Sequence, residues 1–494
     1  MSEPDITLKR NQLGVPSIVF LVLAAVAPLT AAVVVLPLAI GFGNGGGIPM
    51  AVVIVAVALL LFAVGYVQMT KELVNAGGFY AIAVKGLGRP AGLVTGLIAT
   101  LGYNFFVAGA IGTTGFFTGE VALPALTGIQ INWYVIGIPI FIVIFLLARA
   151  GIHVSAAVLG VALILEIAVL LAFAFSVLVQ TGYDIGAFVD AFSPEVVAGG
   201  SVWIALLLVA TAFLGFEATA LFGEEAREPR KTIPRATYAA IILIGVLHAV
   251  VGWAMVSAIG VRDAQETAAA SLASGDLLLV LLDTYLGPIV GAIALVLLVV
   301  SMFAAQLAFH NSAARYLFAL GRARVLPRWL AVTNRNGAPQ RALVVNAVFA
   351  AVVAGIFAVI VQTDADGNPL PAVLTIVPVG IGFATLAIMI TQAIAALSVV
   401  VYFRRARDRR WWSTFIAPGL GFLALLVFSV MALFNFTVIA GSEALYVRML
   451  PWLLVAAVVG GLAWSVYLRR RRPEIYAGLS EDLERFDEVL VPTP

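Results

Sequence analysis

Long apolar runs separated by short polar segments organise this sequence. Twelve runs are long enough to cross a bilayer: about 16–41, 47–69, 91–119, 132–149, 154–180, 201–223, 235–260, 288–318, 340–362, 372–403, 412–435 and 448–468. A helix crossing about 30 Å of hydrocarbon needs roughly 20 such residues. Within each run the apolar residues continue without the period-two alternation of barrel strands, so each predicts a helix. The expected fold class is an all-α membrane protein with twelve transmembrane helices.

The polar segments test that count independently. With the N-terminus placed in the cytoplasm, all but two of the 28 lysines and arginines fall on the cytoplasmic side, the exceptions being Arg262 and Arg448. Positive charge is retained on that side during insertion, and one missed span would scramble the alternation from that point on. Both termini are therefore expected inside a cytoplasmic membrane. The first apolar run is too long for a signal peptide and lacks a small-residue cleavage site, so it reads as a retained span. Two connecting segments are more than turns. Residues 70–90 are amphipathic and glycine-punctuated, which suggests an interfacial helix. Residues 264–287 hold an apolar stretch too short to span, expected against the outer face.

Composition narrows the chemistry. Hydrophobic residues make up 62% of the 494 and charged residues 11%, against 45–50% and about 25% in soluble domains. A net charge of +2 gives no reason to expect nucleic acid. The absence of cysteine excludes disulfides and thiolate chemistry, and the three histidines (His153, His248 and His310) are scattered, a poor fit to a metal site or membrane enzyme. No cofactor is implied. No G-x-x-x-x-G-K-[ST] run is present, which argues against an ATP-driven pump. Repeated pore segments and rings of charge are also missing, which argues against a channel.

Broken helices and buried charge carry the remaining information. In the sixth run, Glu217 follows Gly215 in Phe213-Leu214-Gly215-Phe216-Glu217-Ala218. A carboxylate inside a span is costly, so it should face protein or water; it could equally be bonded to a neighbouring helix. In the first run, Ala25-Val26-Ala27-Pro28-Leu29-Thr30 places a proline mid-span, which removes a backbone hydrogen bond. Corresponding breaks in two five-helix halves point to the binding site of an inverted-repeat transporter. Freed amides there suit an anionic group and freed carbonyls a cationic one, and an amino acid carries both on one carbon.

These residues also resemble a known family. Phe213 to Ala218 with the following G-E-E-A-R-E-P-R-K-T-I-P-R-A is similar to the span-six signature of the amino acid–polyamine–organocation permeases. A-P-L-T at 27–30, N-A-G-G-F-Y at 75–80 and H-N-S-A-A-R-Y-L-F-A-L-G-R-A-R-V-L-P at 310–327 are similar too. The resemblance implies a LeuT-type fold: spans one to five inverted against six to ten, with two peripheral helices. Residues 1–403 would form the transport core, with repeats at about 16–180 and 201–403, and 404–494 would add the last two spans and a tail.

By the same resemblance, Ala25, Val26, Ala27, Pro28, Leu29 and Thr30 would meet a substrate carboxylate through amides and the Thr30 hydroxyl. Carbonyls near Thr211 and Leu214, beside Gly215, would take its amino group, and Phe213 and Phe309 would wall the pocket. Two departures stand out: alanines and Pro28 replace a glycine-rich break in span one, and Thr211 stands where some relatives place a gating tryptophan. Tyr103 and Asn104 in span three would line the cavity or join helices.

Glu166, mid-span five, holds a position where some relatives place a lysine, and is a candidate for proton coupling alongside Glu217. The alternatives are a structural acid or contact with a cationic substrate. Glu224 and Glu225, with Arg227, Arg230 and Lys231, would cap the inner end of span six. The function expected is a secondary active carrier for L-amino acids, proton-coupled and working by alternating access. A carrier of polyamines or other amines, an amino-acid exchanger and a non-transporting sensor are the alternatives. The partners expected are a small-molecule substrate, a coupling proton and the lipid bilayer; the sequence leaves the oligomeric state open.

Overall fold

The computed structural model describes residues 13–73, 77–151, 156–182, 185–223, 226–363, 366–440 and 443–479. The expectations for His153, Glu224, Glu225 and the first residues of the N-A-G-G-F-Y segment lie outside them. Among the described residues, eleven helical stretches are long and apolar enough to cross a membrane. The first, Val15–Glu72, has 58 residues, about 87 Å if straight, which is far more than one crossing requires. It doubles back where Gly43 leaves helical geometry (φ −100°, ψ −124°) and Gly45 takes φ 55°. Counted as two crossings, it brings the total to the twelve that the apolar runs predict.

Spans two (Ile48–Glu72), three (Arg89–Phe116), seven (Pro229–Ile259) and eight (Pro288–Arg322) begin with proline in the first turn. Proline is suited there because its missing N–H has no helical partner anyway. Span seven therefore starts earlier than the expected 235: its first turn is helical but polar, and hydropathy does not register it.

Spans three and ten (Ile376–Arg405) form the most extensive helix pair. Their backbones meet at glycines: a Cβ added at Gly380 would lie 2.6 Å from the Cα of Gly109. Between helices that share lipid as solvent, close backbone approach supplies the packing that hydrophobicity cannot. Span eleven (Ala417–Phe434) lies on spans two and ten, and span twelve (Leu445–Arg471) on span three. Leu453, Val459, Trp464 and Val466 on span twelve are exposed, as befits a lipid-facing helix.

The expected interfacial helix is not interfacial. Gly78–Leu87 is helical, but Phe79, Tyr80, Ile82 and Val84 are all buried, and the helix packs against spans three and ten. Amphipathic spacing reports an apolar face without saying whether lipid or protein covers it. The short helix Leu277–Leu286 packs on spans five and eight.

Candidate substrate site at the breaks of spans one and six

Proline disfavours helical geometry in the residue before it, and span one stops there. Val15–Val26 is helical, Ala27 turns to φ 51°, ψ 75°, and the helix resumes with Pro28 at its first position. A left-handed alanine costs about 1–2 kcal/mol. It is held by its own amide, which donates to the Leu23 carbonyl (2.9 Å), and by its carbonyl, which accepts from Ala31 (2.9 Å). The chain then runs through a π-helical turn at Ala31–Val35, a geometry that recurs at functional sites.

Span six breaks opposite. Val202–Thr211 is α-helical, Gly215 takes φ 114°, and Phe216–Phe222 continues as a 3₁₀ helix. Only glycine adopts that φ readily, and here it also lacks room for a side chain. A Cβ at Gly215 would lie 3.2 Å from the Ala25 Cβ and 3.3 Å from the Val26 amide nitrogen. The two breaks are in contact.

Glu217 belongs to the span-six break. Its carboxylate accepts from the Gly215 amide (3.0 Å) and the Tyr103 hydroxyl (2.9 Å), and its carbonyl accepts from the Tyr66 hydroxyl (2.8 Å). A freed backbone amide is thereby satisfied inside the bundle, where water is not available. Glu166 belongs to the other break. Its Oε2 accepts from the Ser301 hydroxyl of span eight (2.9 Å) and faces the Leu29 amide at 3.4 Å. Beside it lies a cavity of about 10 Å³ bounded by Ala24, Ala27, Ala162, Ser301 and Ala304, room for about one water.

The aromatic residues gather around the same point. Tyr103 lies against Phe309 and Tyr316, and Phe309 stacks on Phe106 with centroids 3.5 Å apart. Phe213 and Leu214 are buried in the span-six break, with the Phe213 ring edge-on to His248. The Thr211 hydroxyl pairs with that of Thr385 in span ten (3.0 Å). The Thr30 hydroxyl is buried with no hydrogen-bond partner among the described residues. Asn104 is engaged elsewhere: it donates to the Thr100 carbonyl and accepts from Asn346, which also meets His310. A second cavity, of about 620 Å³, opens between Glu120, Gln130, Asp276 and Pro371, away from both breaks.

His248, Ser301, Tyr66 and Thr385 touch this region and escaped the sequence reading. The available signal was a polar residue inside an apolar run, but such residues are numerous here, and nothing in one sequence says which face each other.

The amino acid permease family matches residues 13–461. The chain belongs to that family. It is thus a multi-pass membrane protein of a family that is not enzymatic. This amino acid permease is 27% identical over 305 residues to the branched-chain amino acid permease BcaP of Lactococcus lactis subsp. cremoris. That match spans 60% of this chain and 60% of the relative, so the chain covers less than two thirds of its length. An uncharacterized transporter of Mycobacterium tuberculosis is 29% identical over 348 residues, covering 67% of this chain and 70% of that protein. Among solved structures, MhsT in complex with L-phenylalanine superposes with TM-score 0.57 at 15% identity, covering 88% of the permease and all of MhsT. At that identity the likeness speaks to fold alone, which is the LeuT type: two inverted five-helix repeats and two further helices.

Proposed function

We propose that this permease is a secondary carrier for L-amino acids with apolar side chains, coupled to protons and working by alternating access. The observation that carries this reading is the contact between two broken spans: Gly215, at φ 114°, lies against Ala25 and Val26, the residues that lead into Ala27 at φ 51°. Around Ala25–Thr30 a substrate carboxylate would meet backbone amides and the Thr30 hydroxyl, which has no partner among the described residues. Carbonyls near Thr211 and Leu214 would take the ammonium group, and Phe213 and Phe309 would enclose the side chain. Support for an apolar side chain comes from these rings, from the branched-chain permease among the relatives and from the L-phenylalanine bound to MhsT. Glu166 is the coupling acid in this reading. Its carboxylate accepts from spans one and eight at once, so gaining or losing a proton changes how firmly span one is held. Residues 1–403 would carry transport, with both termini in the cytoplasm and 404–494 peripheral.

The test is uptake of labelled leucine, isoleucine, valine, phenylalanine and a polyamine into proteoliposomes, with and without an inward proton gradient. Concentrative uptake of an amino acid only under the gradient is expected, with Glu166→Gln retaining exchange but losing accumulation. Gradient-independent uptake, or a Glu166→Gln variant that accumulates like wild type, rejects proton coupling. Uptake of the polyamine alone rejects the amino-acid reading.

A further inference from the structure

One peptide group in span one is held at both ends by buried side chains. The amide of Leu29 faces Glu166 Oε2 at 3.4 Å, and the carbonyl of Pro28, the other half of the same peptide, faces His248 Nε2 at 3.4 Å. His248 is fully buried in span seven, and its ring also lies edge-on to Phe213 in the span-six break. A carbonyl can only accept, so the ring hydrogen belongs on Nε2. Nδ1 is then a bare acceptor, and it is buried without a partner among the described residues.

We propose that His248 is a positioning residue for Glu166, acting through the Pro28–Leu29 peptide that the two side chains hold between them. This rests on Glu166 being the coupling acid. A peptide whose carbonyl accepts a hydrogen bond becomes a better donor at its N–H, since chains of such bonds polarise one another. His248 therefore strengthens the hold of Leu29 on the carboxylate. Both contacts lie beyond the usual 2.7–3.2 Å range, and the N–H and C=O of one planar peptide point opposite ways, so a shift of a few tenths of an ångström at the break tightens one contact as it loosens the other.

Among the described residues no other titratable group is bonded to this peptide. Span eight, packed against spans one and five, brings His310, Arg315, Tyr316 and Arg322, which meet Asn346, the Leu221 carbonyl, the Phe79 amide and the Phe318 ring. Span one has none between Val15 and Asn44. Of the elements packed against span seven, span five brings only Glu166, while span two brings Tyr66, Lys71 and Glu72 and the 3₁₀ segment Glu217. The outer helices Ile185–Ala191, Ala264–Ala270 and Leu277–Leu286 bring Asp190, Glu266, Asp283 and Tyr285. Tyr66 donates to the Glu217 backbone carbonyl, the Glu217 carboxylate takes Tyr103 and the Gly215 amide, Asp190 pairs with Arg262, and Lys71 and Glu72 lie at the far end of their helix.

The experiment is an infrared pH titration of the carboxylic-acid band in lipid-reconstituted full-length protein, the Glu166 component being the part absent from Glu166→Gln. His248→Phe keeps a ring against Phe213 but removes the donor; His248→Gln keeps a donor of similar reach. The expected result is a midpoint in His248→Phe displaced from wild type by about half a pH unit or more, restored in His248→Gln. ¹⁵N spectra of the wild type should show His248 with hydrogen on Nε2, a readout that needs no variant to fold. A Glu166 band with the same midpoint in His248→Phe, or hydrogen on Nδ1, overturns the proposal. If the band titrates as proposed but Glu166→Gln still accumulates substrate, it is the coupling role of Glu166 that fails instead.

Discussion

Tyr103 of span three donates its hydroxyl to Oε1 of Glu217 in span six, 2.9 Å away, while Oε2 of the same carboxylate takes the Gly215 amide at 3.0 Å. One side chain thus closes the gap that the broken helix leaves and ties it to a neighbour. Removing one donor from a buried acceptor costs about 1–3 kcal/mol. Tyr103→Phe should therefore lower the melting temperature of the detergent-solubilised protein. Glu217→Ala should lower it further because the Gly215 amide also loses its partner. Glu217→Gln can still accept from Gly215 and donate to Tyr103, and should fall between wild type and Glu217→Ala. Equal melting temperatures for the glutamine and alanine variants would remove Glu217 from this structural role.

The two breaks respond to side-chain changes in opposite senses. Gly215→Ala forces φ 114° on a residue with a Cβ and sets that Cβ 3.2 Å from Ala25. Backbone strain alone is about 1–3 kcal/mol, and relief by moving span one would widen the site. Uptake should be lost before folding is. Ala27→Gly does the reverse at φ 51°. It relieves strain of about 1–2 kcal/mol and gives back roughly 0.4–1 kcal/mol in unfolded-chain entropy, so stability should change little and transport should survive. A Gly215→Ala protein that transports normally would mean the breaks need not stay in contact.

What could be read from the sequence follows from which physical constraints are local. Span number is a length constraint on apolar runs, and all twelve were legible, including the pair that lies within one helical stretch from Val15 to Glu72, broken at Ala27 and turned back at Gly43. Breaks at Pro28 and Gly215 were legible because these residues act on their own backbone. The left-handed turn at Ala27 was not, since nothing in alanine favours it and a following proline steers the residue before it toward extended geometry. Partners were the illegible part. Glu166 stood out as a charge in an apolar run, but Ser301 and the Leu29 amide become its neighbours only when spans one, five and eight meet. Asn104 looked equally suited to the cavity or to a helix contact, and its hydrogen bonds run to Thr100 and Asn346.

Span six is anchored where it ends. Arg315 of span eight donates to the Leu221 carbonyl (3.0 Å), with its guanidinium over the Phe222 ring, and the Arg227 amide donates to the Leu13 carbonyl (2.7 Å). In the proposed topology and transport cycle, this end of span six would form the cytoplasmic gate. A bond from a charged donor contributes about 1.5–3 kcal/mol, enough to shift an open–closed population about tenfold. Because the native chain has no cysteine, Ala218→Cys gives a single reporter without background substitutions. Arg315→Ala in that protein should raise the rate of thiol labelling by a membrane-impermeant reagent about tenfold from the cytoplasmic side. An unchanged rate would show that the gate is held by other contacts.

The turn between spans ten and eleven should respond to acid in a predictable direction. Asp408 accepts from the Arg410 guanidinium at 2.6 Å and from its amide at 2.7 Å, and Arg410 reaches on to Gln68 of span two (3.1 Å). These hydrogen bonds from Arg410, aided by its charge, hold the Asp408 carboxyl below the usual carboxylate range. A carboxylate bound more tightly in the folded state contributes stability that is fully present above its unfolded value, about 3.9, and is lost as pH falls through the lower folded one. The melting-temperature gap between wild type and Asp408→Asn should therefore stay constant from pH 8 to about pH 5. It should close only on further acidification. A gap that closes near neutral pH, or the absence of any gap, would mean that this turn does not fasten span two to span eleven.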